Sequence, residues 1–297
     1  MKIGFVGLGN MGTGMANNIL KKIKNKSDLF VYTRTLDKIK KFTERGASGS
    51  NSIEEITNSV DVLLTCLPNV ETSKELFMGK NGIFEYADSN QVLVDHSTVD
   101  VKTSKECFDS ASSKGLNFLD APISGGPGGA ADGTLTIMVG GIESSFNSAK
   151  EAFEMMGSKI SLMGPSGAGT AMKLVNQLLV STNTVAAAEA FVLAEQSGVN
   201  LSAAIDILST SWGRSTMIER NGPITVNKEF ENSPAPLRNL VKDLGIIKDL
   251  TSQLGLKLPV TMASSDVVDE TMGLGLEEPD IAATALSIKK ISNIEWK

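Results

Sequence analysis

Along the first half of the chain, short β-branched and aromatic runs alternate with segments whose apolar residues recur every three to four positions. The run Lys2–Val6 leads into Gly7-Leu8-Gly9-Asn10-Met11-Gly12 and then a helical pattern through Met11, Ile19, Leu20 and Ile23. Further runs at Leu29–Tyr32, Val60–Leu67, Gln91–Asp95, Leu116–Asp120 and Leu135–Val139 predict strands, with helices near Lys38–Arg45, Val70–Leu76, Val101–Ser113 and Ser144–Met156. Strand and helix in alternation specify a doubly wound sheet. From about Met163 the character changes. Thr170–Ser197, Ser202–Ser211, Ser215–Asn221, Leu240–Gln253, Val260–Met272 and Pro279–Ile291 are helical in pattern, with no convincing strand between them. The expectation is an α/β, Rossmann-type domain over residues 1–163 and an all-α domain over 164–297, with small molecules bound in the cleft between them.

Composition narrows the class without choosing a chemistry. A chain of 297 residues, 41% hydrophobic and 21% charged, is ordinary for a folded, soluble enzyme. The net charge of −6 and the absence of basic runs beyond Lys21-Lys22-Ile23-Lys24-Asn25-Lys26, read as a solvated helix end, exclude a nucleic-acid footprint. Cys66 and Cys107 lack CxxC or histidine partner spacing, so neither a metal site nor a disulfide framework is expected, and a reduced cytoplasmic setting fits. The apolar start is too short for a signal peptide. The apolar stretch Leu174–Ala194 is interrupted by Asn176, Gln177, Asn183 and Glu189, which favours burial in protein over a membrane.

The glycine turn carries the first chemical signal. Placed directly after a strand and opening a helix, its glycines permit a tight bend, backbone approach to a pyrophosphate, and close helix packing. The helix N-terminus then faces the phosphates with unpaired N–H groups. An NAD site usually has an acid at the end of the second strand, but here Thr33-Arg34-Thr35 stands there. A guanidinium flanked by hydroxyls suits a 2′-phosphate, so NADP(H) is the expected preference, with NAD(H) second. Leu67-Pro68-Asn69, Ser97-Thr98 and the loop after Asp120 end strands on the same side and face the same crevice.

Hydride chemistry also needs a proton donor. His96, the chain's one histidine, reads as a structural loop residue. Lys173 stands near the start of the apolar helix, with Asn176 and Gln177 one turn on and Gly167 and Gly169 upstream leaving room for a ligand. Lost hydration makes an ammonium a readier donor, although a snorkelling lysine at a helix start is the plain alternative. Ser124 among the glycines of Asp120-Ala121-Pro122-Ile123-Ser124-Gly125-Gly126 offers a carboxylate nest or simply a flexible loop.

Together, Phe5-Val6-Gly7-Leu8-Gly9-Asn10-Met11-Gly12, Asp120–Gly126, Gly167-Ala168-Gly169 with Lys173-Leu174-Val175-Asn176-Gln177, and Lys242-Asp243-Leu244 resemble, in that order, the signatures of the β-hydroxyacid dehydrogenases. That family includes 3-hydroxyisobutyrate dehydrogenase, tartronate semialdehyde reductase and glyoxylate/succinic semialdehyde reductase. The resemblance implies that Lys173 is the general acid and base, and that Ser124, Gly125 and Gly126 bind the substrate carboxylate. It also implies that Asn176 and Gln177 position substrate, that Asp243 touches it, and that Leu67, Pro68, Thr98 and Lys242 contact the cofactor. Homodimers or homotetramers are expected on the same ground, as is interconversion of a small β-hydroxy acid and its semialdehyde.

One departure concerns the pocket. Several family members have an aromatic residue seven positions before Lys242, where this chain has Ala235, and Trp212 and Arg214 are further candidate selectors. An NAD-dependent 3-hydroxyisobutyrate dehydrogenase-type enzyme, an imine reductase and a noncatalytic cofactor sensor are the alternatives. Lys173 counts against the last two, in which that lysine is typically replaced.

Overall fold

The structure is a computed structural model that describes residues 1–295; Trp296 and Lys297, at the end of the expected helical domain, lie outside it. Its contacts divide the chain into two compact units between Lys173 and Leu174, inside one long helix.

The first unit is built on a sheet that, among the described residues, has nine strands: β1 Ile3–Val6, β2 Leu29–Tyr32, β3 Ser48–Gly49, β4 Val62–Thr65, β5 Val92–Asp95, β6 Asn117–Asp120, β7 Ile123–Ser124, β8 Leu135–Gly140 and β9 Gly157–Gly164. Their order is β3-β2-β1-β4-β5-β6-β8-β7, with β9 on β8. Strands β1 to β6 run parallel; β8 is antiparallel to β6 and β7 and parallel to β9. Strands β1, β4 and β5 are buried throughout, which is why they read as unbroken apolar runs. Helices cover both faces. Met15, Ile19 and Phe153 pack on one, and Phe77, Phe84 and Phe118 on the other. The Phe77 and Phe118 rings meet edge to face at 5.2 Å, an arrangement worth about 1 kcal/mol beyond burial.

Several pieces differ from the periodicity reading. Strand β9 is a largely exposed edge, so its alternating sequence has no apolar run to announce it. The expected glycine loop after Asp120 is instead β7 followed by a short helix, Gly126–Asp132. Local propensity misses that helix, yet Pro127 at its start and left-handed Gly133 at its end are ordinary boundary signals.

Beyond the shared helix Ala168–Gln196, the second unit contains helices Leu201–Leu208, Thr216–Asn227, Leu237–Gln253, Pro259–Met272 and Thr284–Ile291. The helix expected over Pro279–Ile291 is shorter and is preceded by a 3-10 turn, Ile281–Ala283. Val185, Leu237, Leu240, Leu244 and Val268 form one part of this unit's core, and Ala187, Phe191, Ile205 and Ile218 another.

Candidate active site

In the parallel sheet, Val6, Tyr32, Thr65, Asp95 and Asp120 close their strands at one level, each paired in register with its neighbour. Gly7, Thr33, Leu67 and the Ser97-Thr98 segment therefore leave the sheet from one edge. Strand order reverses between β1 and β4, so the glycine turn stands at the switch point where doubly wound sheets bind ligands.

The glycines of this turn divide their work. Gly7 has φ +99°, and a Cβ there would strike the Cys66 carbonyl; one on Gly12 would strike the Gly7 carbonyl. Both are glycine because the protein's own backbone fills the space. Around Gly9 a Cβ would meet nothing within 4 Å, leaving a cradle that faces open space. Helix Asn10–Lys22 begins there without a side-chain cap, so its first N–H groups and positive dipole end suit an anion. This arrangement fits the pyrophosphate of a dinucleotide.

Leu8 contributes backbone alone. Its side chain is buried in the core, while its carbonyl accepts hydrogen bonds from Thr13 Oγ1 at 3.0 Å and Lys38 Nζ at 2.8 Å. Lys38 was not anticipated. It lies four residues beyond the exposed Arg34, in the first turn of the helix Leu36–Thr43 that follows Thr35, and a second cation so close in sequence was the available signal.

Two buried carboxylates at strand ends also went unread. Asp95 Oδ1 accepts from Thr65 Oγ1 and from the Ser97 N–H, both at 2.9 Å, and Ser73 Oγ donates to Oδ2. Ser97 Oγ in turn accepts the Leu67 N–H at 2.9 Å, so the Leu67-Pro68 and Ser97-Thr98 segments are tied together. Between these carboxylates His96 is held inside the protein. Its Nδ1 donates to the Ala121 carbonyl at 2.6 Å, its ring packs edge-on to Phe153, and burial pushes its pKa down to about 4. It is neutral near pH 7.

Asp120, 1% exposed, reaches the start of the long helix: Oδ1 accepts from the Gly167 N–H at 2.7 Å and Oδ2 from the Thr170 N–H at 2.8 Å. Burial pushes this carboxyl up from the ordinary aspartate value, opposed by those hydrogen bonds. Lys173 follows Thr170 by one helical turn and is 8% exposed. The two upstream glycines do not make room for a ligand, contrary to the sequence reading. A Cβ on Gly167 would meet Val101 and Lys105, and one on Gly169 would strike the Met138 carbonyl. Ser124 sits on β7 opposite Thr136, and Gly125 and Gly126 take positive φ to start the short helix Gly126–Asp132.

The second unit gathers the remaining candidates into a polar chain. Asn176 Nδ2 donates to Gln177 Oε1 at 3.0 Å, Gln177 Nε2 donates to Asp243 Oδ2 at 2.5 Å, and Lys242 Nζ lies 3.2 Å from Asp243 Oδ1. Ala235, at the departure from the family pattern, belongs to a segment held by the buried Asp280. Ser233 and Arg220 both donate to that carboxylate, and the Ala235 N–H bonds to Ser233 Oγ at 2.9 Å. Trp212 and Arg214 are exposed. Among the described residues no cluster of three or more His, Cys, Asp or Glu could hold a metal.

Comparison with known proteins matches two families in succession along the chain. Residues 2–164 match the family described as the NAD binding domain of 6-phosphogluconate dehydrogenase, and 167–287 match the one described as the NAD-binding domain of NADP-dependent 3-hydroxyisobutyrate dehydrogenase. A probable mitochondrial 3-hydroxyisobutyrate dehydrogenase of Dictyostelium discoideum is 36% identical over 85% of this chain and 80% of its own. An uncharacterized oxidoreductase of Bacillus subtilis is 31% identical over 93% of this chain and 94% of its own. Among solved structures, Mycobacterium tuberculosis 3-hydroxyisobutyrate dehydrogenase with L-serine superposes with a TM-score of 0.85 at 28% identity, covering 97% of this chain and 98% of that one.

Proposed function

This chain belongs to the β-hydroxyacid dehydrogenases, NAD(P)-dependent oxidoreductases acting on CH–OH groups, and on that premise we propose that it is an NADP(H)-preferring enzyme interconverting a small β-hydroxy acid and its semialdehyde. The observation that carries the reading is the placement of Lys173. It is a buried lysine in the first turns of a helix tied by Asp120 to the carboxyl edge of the sheet, the edge that also bears the phosphate cradle.

A bound nicotinamide supplies hydride to the carbonyl carbon, or accepts it from the alcohol. The chain's own residues do the rest. In reduction the Lys173 ammonium gives its proton to the carbonyl oxygen, which becomes the hydroxyl, and is left as a neutral amine; oxidation reverses the transfer. Ser124 and the backbone of Gly125 and Gly126 receive the substrate carboxylate. Asn176, Gln177 and Asp243 orient the rest of the substrate. The Mycobacterium tuberculosis structure is one with L-serine, itself a β-hydroxy acid, which supports this class. Preference for NADP(H) is supported by Arg34 and by Lys38, a second cation beside the glycine turn. Thr33 and Thr35 flank the arginine.

Helix Ala168–Gln196 is long and apolar enough to cross a membrane by length and composition. We read it instead as a core helix whose exposed Val175, Leu179 and Leu193 meet a second copy of the chain in a homodimer or homotetramer.

The test is initial rates of NADPH and NADH oxidation with tartronate and succinic semialdehydes and glyoxylate, for wild type and Lys173→Ala. The expectation is a preference for NADPH and a loss of turnover of about 10²–10⁴ in the variant with NADPH binding retained. Near-normal turnover of Lys173→Ala would remove the lysine from the chemistry.

A further inference from the structure

The long helix that bears Lys173 is not capped by the residue before it. Its capping group comes from the sheet, in the form of Asp120, the last residue of β6. The two carboxylate oxygens each take one helix-start amide, Oδ1 from Gly167 at 2.7 Å and Oδ2 from Thr170 at 2.8 Å, across 47 and 50 residues of chain. Ser166 Oγ adds a contact to Oδ1 at 3.3 Å. A local N-cap satisfies orphan amides but leaves a helix free to tilt with its own loop. A cap on a neighbouring strand satisfies the same amides and fixes the helix's first turn against that strand.

The surroundings are shaped to admit this contact. A Cβ on Gly140, opposite Asp120 in the sheet, would lie 2.5 Å from Asp120 Oδ1 and 2.8 Å from the Gly169 nitrogen. One on Gly169 would lie 2.7 Å from both the Asp120 carbonyl oxygen and the Gly140 nitrogen. The two glycines thus let helix, carboxylate and strand approach with no side chain between them. Ser104 Oγ, 2.8 Å from Thr170 Oγ1, holds the same turn from a second helix.

We infer that Asp120 is a positioning residue, whose carboxylate sets the first turn of helix Ala168–Gln196 on the sheet and thereby places the Lys173 amine. The inference rests on the reading of Lys173 as proton donor. Thr170 and Lys173 are separated by about 4.5 Å of helical rise, so a shift of the first turn is carried to the lysine. Misplacement by about 1 Å is enough to cost a reaction some 10²-fold.

The experiment compares Asp120→Asn, Lys173→Ala and the double variant, using the fastest semialdehyde of the panel and expressing kcat per NADPH-binding site. Asp120→Asn is expected to lower kcat about 10- to 100-fold and leave NADPH affinity within about twofold. It should also change the pH profile of kcat, since the amine that gives the proton then stands in altered surroundings. In the Lys173→Ala background rescued by ethylamine, an amine that does not ride on the helix, the second substitution is expected to add no loss. Equal losses in both backgrounds would overturn the inference, as would an unchanged kcat and pH profile in Asp120→Asn while Lys173→Ala is inactive. Near-normal turnover of Lys173→Ala would instead overturn the lysine reading and the positioning role with it. Hydrogen exchange on the wild-type enzyme needs no variant to fold: the Gly167 and Thr170 amides are expected to exchange as slowly as the helix interior, and exchange at loop rates would overturn the inference.

Discussion

The two units of this chain build their candidate site groups from different materials. In the sheet unit the candidate groups are largely backbone: an open glycine, the uncapped start of a helix and strand ends locked by buried carboxylates. In the helical unit they are side chains, linked from Asn176 through Gln177 and Asp243 to Lys242. Backbone sites tolerate little change, because each glycine is fixed by a contact or a cradle. A side-chain site can be altered one residue at a time while its helices stand. The family pattern behaves accordingly: the glycine turn is intact here, and the departure falls at Ala235, in the helical unit.

The sharpest way to break the contrast is to add a single methyl group at different glycines. Gly12→Ala drives a Cβ into the Gly7 carbonyl, overpacking that backbone cannot relieve cheaply, and is expected to cost about 3 kcal/mol or more of stability along with cofactor binding. Gly9→Ala meets no protein atom within 4 Å, and its extended backbone suits any residue, so the melting temperature should stay put while NADPH affinity falls about 100-fold. Thermal melts with and without NADPH read both. Wild-type NADPH affinity in Gly9→Ala would mean that the phosphates do not lie in this cradle.

Acid offers a second probe that strikes one unit first. His96 is the chain's one histidine and lies in the sheet unit, and burial depresses its pKa from 6.5 to about 4. The folded protein keeps it neutral, whereas the unfolded chain takes up a proton below about pH 6.5. Its contribution is therefore complete above pH 6.5, declines as pH falls, and is gone below about pH 4, a loss of about 3 kcal/mol. Urea unfolding across that window should show the sheet unit weakening, and His96→Gln should flatten the slope. Identical slopes for variant and wild type would show that this imidazole is not held neutral by the fold.

These contrasts also explain what was legible in the sequence. Buried parallel strands such as β1, β4 and β5 announce themselves because both faces are apolar, and the glycine turn does so because its steric demands are local. Strand β9 and helix Gly126–Asp132 were missed: an exposed edge leaves no apolar run, and a sequence of Gly, Pro and Ala resembles a loop. Lys173 stood out as the one basic residue in an apolar helix. The group that anchors its helix did not, because Asp120 finds its partners about 50 residues away and no periodicity records such a pairing. Gly167 and Gly169 were misread for the same reason: small residues signal close approach, but not what approaches.

The helical unit gives the smallest and most selective effect. Gln177 accepts from Asn176 and donates to Asp243 at 2.5 Å, so its amide is the link on which the polar chain turns. Gln177→Leu keeps the side chain's bulk but removes both bonds, one of them to a carboxylate, an interaction worth about 1.5–3 kcal/mol. Asp243 retains Lys242 as an ion partner, which limits the damage to the fold. The expected result is a fall of roughly tenfold in kcat/KM for the semialdehyde, with NADPH affinity changed less than about twofold, since this energy is spent on substrate orientation rather than on cofactor. Gln177→Asn, which keeps the amide but shortens its reach, should fall between. If Gln177→Leu matched wild type on the semialdehyde, the chain would only brace the helices, and substrate orientation would have to come from the sheet unit's own Ser124, Gly125 and Gly126.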